Sequence, residues 1–72
     1  MDPDPRPASG IQSVARACRI LMSVAASDGG LSARDLSRTQ SLTLPTTYNL
    51  LATLCAEGLL LKGPDHRLTL GP

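Results

Sequence analysis

With 72 residues the chain has room for one small domain. It holds no Phe or Trp and one Tyr, so any core must be built from Leu, Val, Ile and Ala, and its helices must approach closely. The formal net charge of +1 excludes a heavily basic protein, and no apolar run is long enough to span a bilayer.

Position matters more than the sum of charges. The first ten residues, MDPDPRPASG, carry three Pro and read as a disordered arm, 1–10. Arg6 in that arm has the reach to enter a minor groove, but Asp2 and Asp4 beside it would be repelled by phosphate. From Ala8 onward six cations (Arg16, Arg19, Arg34, Arg38, Lys62, Arg67) face four acids (Asp28, Asp35, Glu57, Asp65), a modestly basic balance. Few phosphate contacts and a shallow salt dependence follow from it. Cys18 and Cys55 lack metal-type spacing and read as buried free thiols of a reducing cytosol rather than as a disulfide or metal pair.

A first helix is expected over Ile11 to Ser27, with Ser13 as N-cap and Val14, Ala17, Leu21, Val24 and Ala25 as its inward face. Ile20 and Met22 lie off that stripe and suggest a second buried face, such as a dimer contact. Gly29-Gly30 ends the helix, and Leu31 is placed to make a single-residue strand against the later hairpin. Ser32 then caps a short second helix, with Asp35 three residues on in a capping-box arrangement. Leu36 points inward, and Arg34 and Arg38 share the outward face.

Thr39 to Ser41 forms a turn plugged by Leu42. Thr43 is the expected N-cap of a third helix, about 43–57, which puts Pro45 in the first turn, where its missing N–H costs little. Thr47, Leu50, Leu51 and Leu54 face inward with Cys55 beside them, and Tyr48, Asn49, Ala52 and Thr53 remain outside. Gly58 is a natural stop. Two apolar runs, Leu59 to Lys62 and Arg67 to Leu70, flank Gly63-Pro64-Asp65-His66 and predict a β-hairpin over 59–70. The order helix, helix, turn, helix, hairpin is a winged helix-turn-helix, mainly α with a small hairpin, over 11–71.

The same residues resemble a known family. Ile11-Gln12-Ser13-Val14-Ala15-Arg16-Ala17 opens like the N-terminal helix of IclR-type transcriptional regulators, and Gly29-Gly30-Leu31-Ser32 looks like their first connection. Leu50-Leu51-Ala52-Thr53-Leu54 with Glu57-Gly58 resembles their recognition helix and its exit, and Arg67-Leu68-x-Leu70-Gly71 the end of their wing. The family often has Gly where Ser41 stands, Ser where Pro45 stands, and Arg or His where Asn49 stands. Its members usually carry a C-terminal effector-binding domain. The resemblance therefore implies a DNA-binding domain, such as that of a repressor, either cut from a longer regulator or standing as a truncated protein, with a small-molecule effector only if such a further domain exists.

The expected function is sequence-specific binding of double-stranded DNA by a cytoplasmic homodimer, with no membrane and no cofactor. Pro45, Thr46, Tyr48 and Asn49 are the expected base contacts, and Asn49 suits the edge of adenine. Thr43, Arg34, Arg38 and Arg67 are the expected phosphate contacts. The alternative is a winged helix used for protein interaction or dimerisation without DNA, which the low net charge and the doubly apolar first helix favour. Enzymatic activity is not expected. His66 is the single His, it lies in a turn, and no nucleophile–base set, carboxylate pair, phosphate loop or metal cluster can be assembled around it.

Overall fold

The computed structural model describes residues 11–71, and the expected arm at 1–10, with Arg6, lies outside them. Helix α1 (Gln12–Ala26) contains neither Gly nor Pro. The expected cap at Ser13 is corrected: Ile11 occupies the N-cap position and no side chain caps it. The Ala15 N–H already bonds the Ile11 carbonyl at 3.0 Å, so Ser13 falls inside the first turn.

The inward face of α1 is also rotated from the expected one. Ile20 and Val24 are the buried residues, with Ala17 and Leu21 packed against the core. Val14 (57% exposed) and Ala25 lie on the surface. A helix that is apolar around much of its circumference has no unique inward face by periodicity, and here α2, α3 and the hairpin choose it. Ile11, Val14, Cys18, Met22 and Ala25, at spacings of three and four, are left as one exposed apolar stripe. Cys18 is a free thiol but an exposed one, and Cys55 is half-buried, so the expected burial of both thiols is corrected as well.

The Ser27 N–H and hydroxyl both bond the Val24 carbonyl, at 3.1 and 2.6 Å, and end α1. The chain then turns through Gly29 and Gly30, both at positive φ. Gly30 is required on two grounds. Its φ of +92° suits only glycine, and a Cβ there would sit 2.7 Å from the Leu68 carbonyl oxygen. That approach allows the expected bridge, in which Leu31 and Leu68 exchange both N–H···O bonds at 3.1 and 2.7 Å.

Helix α2 (Ala33–Gln40) opens on the expected capping box. The Asp35 N–H bonds the Ser32 hydroxyl at 3.1 Å, and the Ser32 N–H bonds the Asp35 carboxylate at 3.2 Å. The Ser32 amide above all, then its hydroxyl and the Arg38 guanidinium, hold the Asp35 carboxyl below its ordinary 3.8. A carboxyl lowered by folding stabilises the fold above that ordinary value, and the gain is lost as pH falls through the lowered one. Asp35→Asn is accordingly expected to lower the melting temperature at pH 7. The deficit should begin to narrow as pH falls below 3.8 and close only below the lowered folded-state value.

The exit from α2 is a Schellman turn. The Ser41 N–H bonds the Arg38 carbonyl at 3.2 Å, and the Leu42 N–H reaches back to the Ser37 carbonyl at 2.9 Å. The Ser37 hydroxyl donates to the Leu42 carbonyl and locks the turn from its other side. Ser41 holds the left-handed conformation (φ 56°, ψ 45°) that glycine adopts without steric cost. Ser41→Gly is expected to stabilise the domain by about 0.5–1 kcal/mol, a rise of a few degrees in the melting temperature. No rise, or a fall, would show that the Ser37–Leu42 lock already carries the turn.

Helix α3 (Leu44–Ala56) begins as expected, with the Thr43 hydroxyl accepting the Thr46 N–H at 3.3 Å and Pro45 in the first turn. It ends on a second Schellman turn at Gly58 (φ 80°), where the Leu59 N–H bonds the Leu54 carbonyl at 2.9 Å. Strands β1 (Leu60–Lys62) and β2 (Leu68–Leu70) pair antiparallel with Leu61 opposite Thr69. Each is one residue shorter than expected at its start. The Leu59 amide is spent on the exit of α3, and the Arg67 amide bonds the Asp65 carboxylate at 3.1 Å. Leu68 is buried, whereas Leu70, on the same side by alternation, is half-exposed at the open end of the hairpin.

All five elements contribute to one core: Ile20 and Val24, Leu36, Leu51 and Leu54, Leu60, and Leu68. Burying each of these side chains stabilises the fold by roughly 1.5–3 kcal/mol before the entropic cost of ordering the chain. Thr47 is buried among them and satisfied, its hydroxyl donating to the Thr43 carbonyl at 2.8 Å. The architecture is a mainly helical winged helix-turn-helix.

Candidate nucleic-acid interface

The rear of α3 is fixed by Thr47, Leu51 and Leu54, which leaves its opposite face in solvent. Pro45, Asn49 and Ala52 run along the centre of that face, with Tyr48 on one flank and Thr53 on the other, all exposed. Thr46 is half-buried at the margin. The four residues expected to meet bases therefore lie together at the N-terminal half of one helix. No residue of α3 is charged. Whatever this face recognises, it meets with hydrogen bonds and apolar contact, and attraction of an anion must come from neighbouring elements.

The polar groups differ in how free they are. Among the described residues nothing bonds the Asn49 side-chain amide, while its backbone carbonyl accepts the Thr53 hydroxyl at 3.1 Å. Tyr48 is 54% exposed. Thr43 is more committed: its hydroxyl accepts the Thr46 N–H and donates to the Thr46 hydroxyl at 3.1 Å. With Pro45 lacking an N–H and the Thr47 N–H bonded to the Thr43 carbonyl, the first turn of α3 has little donor capacity left beyond the Leu44 amide.

The expected phosphate contacts fall on two elements. Arg34 and Arg38 both project from α2 into solvent, and Arg38 pairs with Asp35 at 3.1 Å. Such an exposed pair contributes little to stability and leaves the guanidinium exchangeable. Arg67 is tied back to the body of the domain. It donates to the Gly30 carbonyl at 3.2 Å and lies 3.6 Å from the Asp65 carboxylate.

Two cationic or titratable side chains of the hairpin were not among the expected contacts. Lys62 ends β1 and His66 sits in the turn at positive φ, both exposed. With Arg34 and Tyr48 they rim an open groove of about 620 Å³ between the start of α2, the flank of α3 and the hairpin. The sequence signal for Lys62 was its place beside the Gly63-Pro64 turn, at the tip of a hairpin that flanks the exposed helix.

Comparison with known proteins accounts for this arrangement. Residues 13–64 match the model of the IclR helix-turn-helix domain. The fold superposes on the repressor BlcR of Agobacterium tumefaciens with a TM-score of 0.78 and 35% identity, over 86% of this chain and 25% of that one. It superposes on a protein from Rhodococcus sp. described as an IclR-family transcriptional regulator with a TM-score of 0.79 and 29% identity, over 100% of this chain and 29% of that one. An IclR homologue from a Microbacterium strain gives 0.72 and 25%, over 82% of this chain and 25% of that one. The chain thus spans between a quarter and a third of the length of these relatives. No curated protein matches it. With the matched segment running from the first helix into the turn of the wing, the chain belongs to the IclR helix-turn-helix domain family.

Proposed function

We propose that this domain binds double-stranded DNA sequence-specifically for transcriptional regulation, with α3 in the major groove and the hairpin as wing. The observation that carries the reading is the uncharged, exposed face of α3, held from behind by leucines and flanked by the cations of α2 and the hairpin. Asn49 reads a base edge, Thr46 and the ring of Tyr48 make further base contacts, and Pro45 offers apolar surface to a thymine methyl. Arg34 and Arg38 hold the phosphate backbone from α2, and at the Thr43 cap a third phosphate is met by the Leu44 amide, with the Thr43 hydroxyl exchanging its bond to Thr46. Arg67, anchored to Gly30 through Nη1 and half-exposed, meets the backbone with its remaining guanidinium N–H groups, and Lys62 joins it from the tip of the wing. The activity is binding alone, without catalysis or cofactor.

The binding unit is a homodimer in the cytoplasm. Support for the dimer is the exposed stripe of α1, where Met22 (66%) and Ile11 (70%) would otherwise stay in water. Among the described residues no helix is long and apolar enough to cross a membrane. A small-molecule effector would act through a further domain of the kind that the length of the relatives allows.

Fluorescence anisotropy against duplexes selected from a random pool tests the reading. A preferred duplex should emerge and bind far more tightly than random DNA at physiological salt. Arg38→Ala should weaken all duplexes alike and reduce the slope of log K against log salt by about one unit. Equal affinity for selected and random duplexes would remove sequence-specific recognition from the account.

A further inference from the structure

The groove between α2, α3 and the hairpin has a second property beyond its place beside the helix. Its floor is carbon: Leu51, Leu60 and Leu68 lie at its base. Its rim is basic: Arg34 lines it from α2 and Lys62 from the hairpin, with Tyr48 and His66 also among its lining residues. Among the described residues no carboxylate lines it. Asp35, the nearest acid on α2, is turned to the Ser32 N–H and Arg38, and Asp65 in the hairpin is turned to the Arg67 amide and guanidinium. A DNA strand laid along α3 would meet the rim cations, but its sugar–phosphate backbone has too little apolar surface to desolvate a leucine floor. The volume, about 620 Å³, lies within the range of small-molecule sites.

We infer that this groove is a binding site for a small amphiphilic carboxylate, a planar aromatic or medium-chain acid. Its apolar body lies on the leucine floor and its carboxylate between Arg34 and Lys62. Occupancy competes with DNA, because the rim cations and Tyr48 serve both ligands; that competition rests on the DNA-binding reading above. The domain is then inhibited directly at its recognition surface, whether or not a further domain senses an effector of its own.

The test uses 2-naphthoate as probe, with 2-naphthylmethanol lacking the charge and acetate lacking the apolar body. In amide NMR titrations of the free protein, naphthoate should shift the amides of Ala33, Ala52, Cys55 and Lys62 with a Kd of about a millimolar. Both controls should bind at least several-fold more weakly. Lys62→Gln should weaken naphthoate several-fold, and Ala52→Leu, which fills the groove, should remove it while the melting temperature stays near wild type. In anisotropy, the apparent Kd for the preferred duplex should rise in proportion to naphthoate. Shifts confined to α1 and the open end of the hairpin, or equal binding of the alcohol, would overturn the site. Binding in the groove that leaves DNA affinity unchanged would overturn the competition. Because the NMR arm contains no DNA, failure of the groove and failure of the DNA reading are told apart.

Discussion

Asn49→Ala is expected to weaken binding to the preferred duplex by about 1–3 kcal/mol, roughly fivefold to 150-fold, and to relax preference at one base pair. A carboxamide presents one donor and one acceptor at the spacing of the adenine N6 and N7 positions, and Asn49 holds its amide unbonded on the exposed face of α3. Alanine is the better helix former, so the loss cannot come from unfolding of α3. Anisotropy titrations against the preferred duplex and its single-position variants measure both effects, and a thermal melt supplies the control. If affinity and preference survive both Asn49→Ala and Tyr48→Ala, α3 does not read the major groove.

The second large effect is on the fold. Leu36 is fully buried, the sole buried side chain that α2 contributes, and it packs with leucines of α3 and the hairpin. Leu36→Ala is expected to cost about 2–5 kcal/mol, the lost transfer energy plus that of the cavity left behind. A domain of this size has roughly 4–10 kcal/mol in all, so the variant should melt about 10–30 °C lower or be largely unfolded at room temperature. Circular dichroism at 222 nm follows it directly. The exposed Leu61→Ala, by contrast, should stay within about 0.5 kcal/mol of wild type. A cost below about 1 kcal/mol at Leu36 would mean that α2 collapses onto α3 without it.

The capping chemistry is legible in the sequence because it is local. Ser32 with Asp35, Thr43 with Thr46, and Gly58 each depend on bonds within a few residues, and each is found as expected. Leu31 as a lone strand residue was legible for a similar reason: one apolar residue between Gly30 and the Ser32 cap has no other use. The inward face of α1 was not legible. Val14, Ile20 and Ala25 are all apolar and all fit a helical stripe, and the position of α2, α3 and β2 decides that Ile20 is buried and the other two are not. The same limit applies to the interface. The exposed face of α3 follows from period and composition, whereas the tethering of Arg67 to Gly30 and the lining of one groove by both Arg34 and Lys62 depend on tertiary geometry.

The tie between Arg67 and Gly30 joins residues 37 apart in the chain, and the Leu31–Leu68 bridge lies next to it. A two-stranded hairpin is marginally stable in water by itself, and these bonds make the wing part of the helical body. Its order is therefore borrowed. The first connection and the last strand must be brought together, at the entropic cost of closing that long loop, before the hairpin has a third partner. Wing and helices consequently form and melt as one cooperative unit. A lesion at Gly30, on the far side of the sequence from the wing, would release the hairpin as surely as a change within it.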